Sequence, residues 1–158
     1  MRQFVDILSV PTPGRGLVEI TRDVLDWLKP CAVQVGLLTL FCRPTSAGLL
    51  IQENAARDVR ADLGTFFDRL APEDASQYRH ADEGGDDMPA HIRAALTGVQ
   101  LAVPIVQGRL ALGIWQVFIC SSIGGRRMNG RSPCFSLANN GGRIDHTVKS
   151  AVSARSSR

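Results

Sequence analysis

Apolar and polar positions alternate along "RQFVDILSV", with Phe4, Asp6 and Leu8 on one side and Val5, Ile7 and Ser9 on the other. A period of two predicts a strand, and "PTPGRG" predicts the turn that ends it. "GLVEI" reads as a second short strand. Thr21 is placed to cap a helix with Val24, Trp27 and Leu28 on its apolar face, and Pro30 predicts where that helix ends. "GLLTLFCR" is apolar enough for an interior strand, and "LLIQ" follows "PTSAG" as its continuation or hairpin partner. Val59, Leu63, Phe66, Phe67 and Leu70 then recur at helical spacing, with Asn54 as the expected cap.

"DDMPAHIRAAL" predicts a short helix. Asp86 or Asp87 can accept from its first amides, and Pro89 is tolerated in its first turn. "VQLAVPIV", the turn "QGR" and "LALGIWQVFIC" predict a strand–turn–strand hairpin. Pro104 points to an edge position or a bulge in its first strand. From Ser121 onward neither period is sustained. Eight of the eleven serines fall there, the composition of a solvated, poorly ordered tail. Strands and helices do not alternate regularly, so the expected class is α+β with helices on a mixed or antiparallel sheet.

Composition narrows this reading. A chain of 158 residues with 44% hydrophobic content suits one domain with a real core. No stretch approaches the roughly 18 apolar residues of a membrane span. Asp6 interrupts the apolar start, which argues against a signal peptide and makes a cytoplasmic location the expectation. Cys31, Cys42, Cys120 and Cys134 form no C-x-x-C pair, so reduced, mostly buried thiols are expected. The net charge of +3 is uneven: residues 1–117 hold 11 Lys+Arg against 14 Asp+Glu, and residues 118–158 hold 7 against 1. The basic character belongs to the tail, which has little aromatic content, so nucleic-acid binding is not expected.

Candidate chemistry concentrates in "YRHADEGGDDMPAH", which holds two of the three histidines and four carboxylates. On a helix, Asp87 and His91 share a face, and Glu83 follows His80 by three residues. Two readings stand side by side. Either these groups hold a metal, or Asp86 and Asp87 cap a helix while Glu83 and His91 are solvated. Amides at a helix start favour phosphate, but four carboxylates beside them would repel it unless a cation intervened. No G-x-S-x-G, Walker, G-x-G-x-x-G or H-E-x-x-H pattern occurs.

"TSAGLLIQENAARDVRADL", "YRHADEGGDDMPAHIRAAL" and "GRLALGIWQ" occur in that order after the opening "VPTPGRGLVEIT". Together they resemble the YjbQ family, whose members are often labelled secondary thiamine-phosphate synthase. The resemblance covers roughly residues 1–118, and a YjbQ-like domain is expected over 1–120, with a divergent tail over 121–158. It implies an antiparallel β-sandwich-like core with two to three packed helices, assembly as a homotrimer, and a metal or anion site near a subunit boundary. The implied reaction joins hydroxymethylpyrimidine diphosphate to a thiazole phosphate with help from a divalent metal ion, zinc or magnesium. The partner is then a phosphorylated small molecule. His80, Asp87 and His91 are the implied metal ligands, and His80, His91 and Glu83 the implied catalytic groups. Thr45, Ser46, Glu53, Asn54, Trp115 and Gln116 match motif positions expected to bind substrate. A non-catalytic oligomeric protein binding a metabolite or metal is the alternative.

Two departures bear on that alternative. The family's first motif opens with His where this chain has Pro44, and Gly48 replaces a more usual serine or alanine. Proline offers no ring nitrogen donor and no backbone N–H. After "GIWQ", the expected glutamate and β-branched last strand are missing, and the shift to Arg, Ser and Gly resembles translation from another reading frame. Loss of that strand would leave a sheet edge unpaired.

Overall fold

The first alternating stretch forms β1 (Phe4–Ser9), burying Phe4 and Leu8 and leaving Val5 and Ile7 open. The computed structural model describes residues 3–10, 12, 14–122 and 133–139. β2 (Gly16–Glu19) leads into α1 (Thr21–Leu28), which buries Val24, Trp27 and Leu28 as expected. Pro30 does not stop the chain from turning but tightens it into a 3-10 turn over Lys29–Cys31. β3 (Val35–Cys42) and β4 (Ala47–Glu53) follow, then α2 (Arg57–Leu70) and α3 (Asp87–Thr97). β5 (Gln100–Val106), β6 (Arg109–Leu110), β7 (Gln116–Ser122) and β8 (Pro133–Asn139) complete the order.

The strands make two antiparallel sheets, β1-β8-β3-β5-β6 and β2-β7-β4. Phe4, Leu8, Leu38, Leu40, Val103 and Ile105 of the large sheet share one core with Leu49, Phe118 and Cys120 of the small sheet. α1 and the residue before it add Ile20, Val24 and Trp27. Helix α3 packs on the small sheet, against β4 and β7. The expected α+β class with an antiparallel, sandwich-like core and packed helices is what forms.

Several local expectations are corrected. Thr21 does not cap α1; its hydroxyl accepts from the Phe118 amide and ties the helix start to β7. Asn54 does not cap α2, because the helix begins three residues later and the Asn54 side chain donates to Glu19 at 2.7 Å. The apolar stripe of α2 buries only Phe67, leaving Phe66 and Leu70 half-exposed. The expected hairpin is shorter than predicted. Gln107 and Gly108, both with positive φ, make the two-residue turn between β5 and β6. The chain then leaves for the other sheet as β7. Among the described residues, β6 pairs with Ile105 and Val106 and the Ala111 amide donates to the Pro104 carbonyl, so most of β5 lies at an edge, where a residue without an N–H is tolerated.

The expected tail is corrected in part. Residues 121–122 finish β7, and β8 inserts between β1 and β3, pairing with both. The sheet edge expected to lack its partner is therefore filled. The composition "PCFSLAN" conceals a strand because only its register, not a clean alternation, marks it. The side chain of Cys134 and the other parts of the expected tail, residues 123–132 and 140–158, lie outside what the structure describes.

Gly48 is required by packing. A Cβ there would meet Thr97 Oγ1 and lie 2.8 Å from the Gly98 carbonyl. The Gly98 carbonyl also accepts from the Leu49 amide at 2.8 Å, so the end of α3 is keyed directly onto β4. That contact helps to fix how far the N-terminal end of α3 stands from the residues before β4.

Candidate metal site

The first turn of α3 carries Asp87, and His91 lies one turn later on the same face. Ahead of the helix, the Gly84 amide donates to Ala81 and the Asp87 amide to Gly84, folding residues 81–87 into successive turns. Gly84 has φ +128, a conformation that L side chains rarely adopt. These turns lay His80 back over the helix. His80 Nε2 stands 2.8 Å, and His91 Nε2 3.2 Å, from the same oxygen, Asp87 Oδ2. One donor atom from each of the three residues lies within 4.8 Å of the others.

The capping reading does not hold. Asp86 occupies the N-cap position with no side-chain hydrogen bond to the helix. Asp87 Oδ2 is solvent-inaccessible, and among the described residues its polar neighbours are the two ring nitrogens. A carboxylate charge buried between two imidazoles needs positive charge beside it, so this arrangement suits a cation among the three atoms.

The tautomer of His91 agrees. Its Nδ1 is 3.1 Å from the Thr45 carbonyl, which can only accept. Neutral His91 therefore carries its proton on Nδ1 and directs the Nε2 lone pair toward Asp87. Two electron-rich atoms then face each other at 3.2 Å, a repulsion that a bound cation turns into coordination. The residues fit a divalent metal: two imidazoles and one carboxylate, with His80 exposed toward solvent.

The other expected site residues divide. Thr45 joins the cluster through its backbone carbonyl, and Ser46 adjoins it, half-buried just before β4. Glu83 is exposed and outside the three converging atoms. Glu53, Asn54, Trp115 and Gln116 sit at the opposite end of the β4–β7 ladder, where Glu53 pairs with Gln116 and Ala47 with Ser122. Six strand steps separate the two ends, about 20 Å. There the Gln116 side-chain carbonyl accepts from the Gly113 amide, and the Asn54 amide donates to the Trp115 carbonyl. These bonds hold a turn with Ile114 and Trp115 largely exposed.

Sequence reasoning missed a second group. Arg93, buried on α3 beside Pro89, Ala90 and Ala94, donates to Asp68 Oδ1 at 2.7 Å. Arg15, before β2, bonds the same Asp68 oxygen and also Glu73. Burial alone would raise the Asp68 pKa, but hydrogen bonds from Arg15 and Arg93, with their charges, hold it below the usual carboxylate range. A single charge at i+3 and i+4 spacing within an otherwise small, apolar helix face was the available signal.

Comparison with known proteins agrees with the motifs. The family profile described as UPF0047 protein YjbQ-like matches residues 6–137. The UPF0047 protein sll1880 of Synechocystis sp. is 50% identical over 115 residues, covering 73% of this chain and 78% of that protein. The UPF0047 protein YjbQ of Salmonella typhimurium is 45% identical over 110 residues, covering 69% and 79%. Among solved structures, the conserved hypothetical protein TT1486 of Thermus thermophilus superposes with a TM-score of 0.69 at 37% identity, covering 84% of this chain and 95% of that one.

Proposed function

Since this chain belongs to the UPF0047 YjbQ-like family, we propose that it holds a divalent cation through His80, Asp87 and His91 and acts on a phosphorylated small molecule. The observation that carries this reading is the convergence of the buried Asp87 Oδ2 and two ring nitrogens, all within 4.8 Å of one another. A divalent cation bound there supplies positive charge to a diphosphate leaving group. The Thr45 carbonyl orients His91, and the turn at Gly84 orients His80. With both rings committed to the cation, exposed Glu83 is the group left for proton transfer. The reaction in this reading is the thiamine-phosphate synthase type: the pyrimidine methylene carbon bonds to the thiazole nitrogen as diphosphate leaves. A cytoplasmic location suits such substrates, and no helix among the described residues is long and apolar enough to cross a membrane.

The test is a metal assay joined to a size measurement on one sample. Stoichiometric divalent metal, zinc or magnesium, in the native chain and its loss in His91→Ala are the expected result. A native chain that takes up no divalent metal overturns it. A second reading, a non-catalytic metal or metabolite binder, is favoured by Pro44 and by the distance of about 20 Å between the cluster and the Trp115 end of the ladder. Metal bound at full occupancy with no thiamine phosphate formed from the two precursors would select that reading.

Assembly as a homotrimer belongs to the same proposal. Val5, Ile7, Val35, Phe41 and Val106 of the large sheet are exposed, with Val35 directly opposite Val106. Such an apolar sheet face, exposed among the described residues, is in this reading the self-association surface. It would also let the exposed Trp115 turn of one copy approach another.

A further inference from the structure

We propose that Arg93 is a positioning residue for the metal ligands, closing the segment that brings His80 to α3. The inference rests on the cation site proposed above. His80 belongs to the stretch between the end of α2 and the start of α3, which pairs with neither sheet. Its internal bonds are local: Asp74 accepts from Ser76 and Gln77, and Tyr78 donates to the Pro72 carbonyl. Those bonds shape its first half, and the turns over residues 81–87 tie its exit to α3, but neither set fixes its start, after α2, against the helix that carries Asp87 and His91.

Arg93 makes that connection. It lies on α3, two residues after His91 and six after Asp87. Its Nη2 donates to Asp68 in the last turn of α2 at 2.7 Å and lies 3.5 Å from the Ala71 carbonyl, where the stretch begins. Arg15 extends the grip, bonding Asp68 and Glu73, two residues beyond Ala71. One guanidinium thus holds the exit of α2 against the helix that presents two of the three ligands.

The second observation is its cost. Arg93 is 5% exposed, and among the described residues its Nε has no hydrogen-bond partner. A buried cation with an unmet donor is inferior to a well-packed apolar side chain for stability alone. What a planar guanidinium adds is direction, fixing α2, Ala71 and α3 in one geometry. The triad needs that precision, because three donor atoms must converge within a few ångströms.

The experiment titrates the full-length chain with Co(II) and Zn(II), reading affinity by calorimetry and ligand geometry by the visible cobalt bands, with circular dichroism as the check on folding. Arg93→Met is expected to fold and to bind at least about 10-fold more weakly, with altered cobalt bands, as loss of an outer partner does at metal sites. Arg93→Lys, which can still reach Asp68, is expected to recover part of the affinity. A folded Arg93→Met with native affinity and native bands overturns the proposal. Should that variant fail to fold, Asp68→Asn carries the test: weakened binding supports the proposal and native binding with native bands overturns it. A native chain that binds neither metal overturns the cation reading itself, and the positioning role falls with it.

Discussion

Replacing Asp87 with asparagine should move the stability of the metal-free and metal-loaded chains in opposite directions. In the free chain, Asp87 Oδ2 is buried between two imidazoles, and His91 Nε2, whose ring donates through Nδ1 to Thr45, faces it at 3.2 Å with a lone pair rather than a proton. Leaving a buried polar group unsatisfied costs about 1–3 kcal/mol, and a charged group more. Asparagine removes the charge at nearly constant shape, so the free variant should gain about 1 kcal/mol or more. For a chain of this length that raises Tm by about 2–4 °C per kcal/mol. In the loaded chain, metal at about 100 times Kd stabilises the native protein by about 2.7 kcal/mol, a Tm rise of about 5–10 °C. The Asp87→Asn side chain offers no anionic donor, and that rise should largely vanish. The assay is thermal unfolding in mildly alkaline buffer, with chelator or with excess zinc; the alkaline condition limits proton competition for the ring nitrogens. A variant that is less stable than native under chelator would refute the reasoning, because Asp87 would then be a structural partner of the histidines.

Gly48→Ala should destabilise the chain by about 1–3 kcal/mol in urea melts, since its Cβ meets Thr97 and the Gly98 carbonyl; Thr97→Ala should recover only part, because the carbonyl remains. The Asp68 carboxylate has a depressed pKa in the native chain, so its stabilising contribution is complete above its unfolded pKa of about 4 and is lost as pH falls through the lower native value. Asp68 is half-exposed, so the effect is modest, and Asp68→Asn should flatten the acid limb of stability between about pH 5 and 2; an unchanged limb would count against the Arg15–Asp68–Arg93 linkage. If the proposed trimer forms through this sheet face, Val35→Glu should shift sedimentation toward the monomer while leaving circular dichroism unchanged, and an unchanged mass would argue that the face is not the contact.

Particular residues explain what the sequence could and could not reveal. The strands around Phe4–Leu8 and Leu38–Leu40 were legible because one face of each is buried and a period of two records that burial. His80, Asp87 and His91 were legible as a set because the helix puts the last two one turn apart and a family motif supplies the first. The Thr45 carbonyl was not legible, since every residue has one and only the fold brings it to His91. Strand β8 was missed because its pairing with β1 and β3 comes from neighbours far earlier in the chain, not from its own composition. Thr21 and Asn54 carried good capping chemistry, but tertiary partners, Phe118 and Glu19, claimed their side chains.

Pro44 takes on a different meaning beside this geometry. It directly precedes Thr45, whose carbonyl sets the His91 tautomer, so a residue without a donor stands next in sequence to the support of one ligand. The locked φ of proline restrains the backbone just before that carbonyl. Where the family motif leads one to expect a histidine, proline therefore offers no candidate ligand while stiffening the support of one that is present. In the proposed reading His80, Asp87 and His91 would hold the cation with three protein donors, one fewer than a closed structural site has. A cation held so would remain available to a phosphorylated ligand, and the change at residue 44 then bears on whether the site turns that ligand over or only binds it.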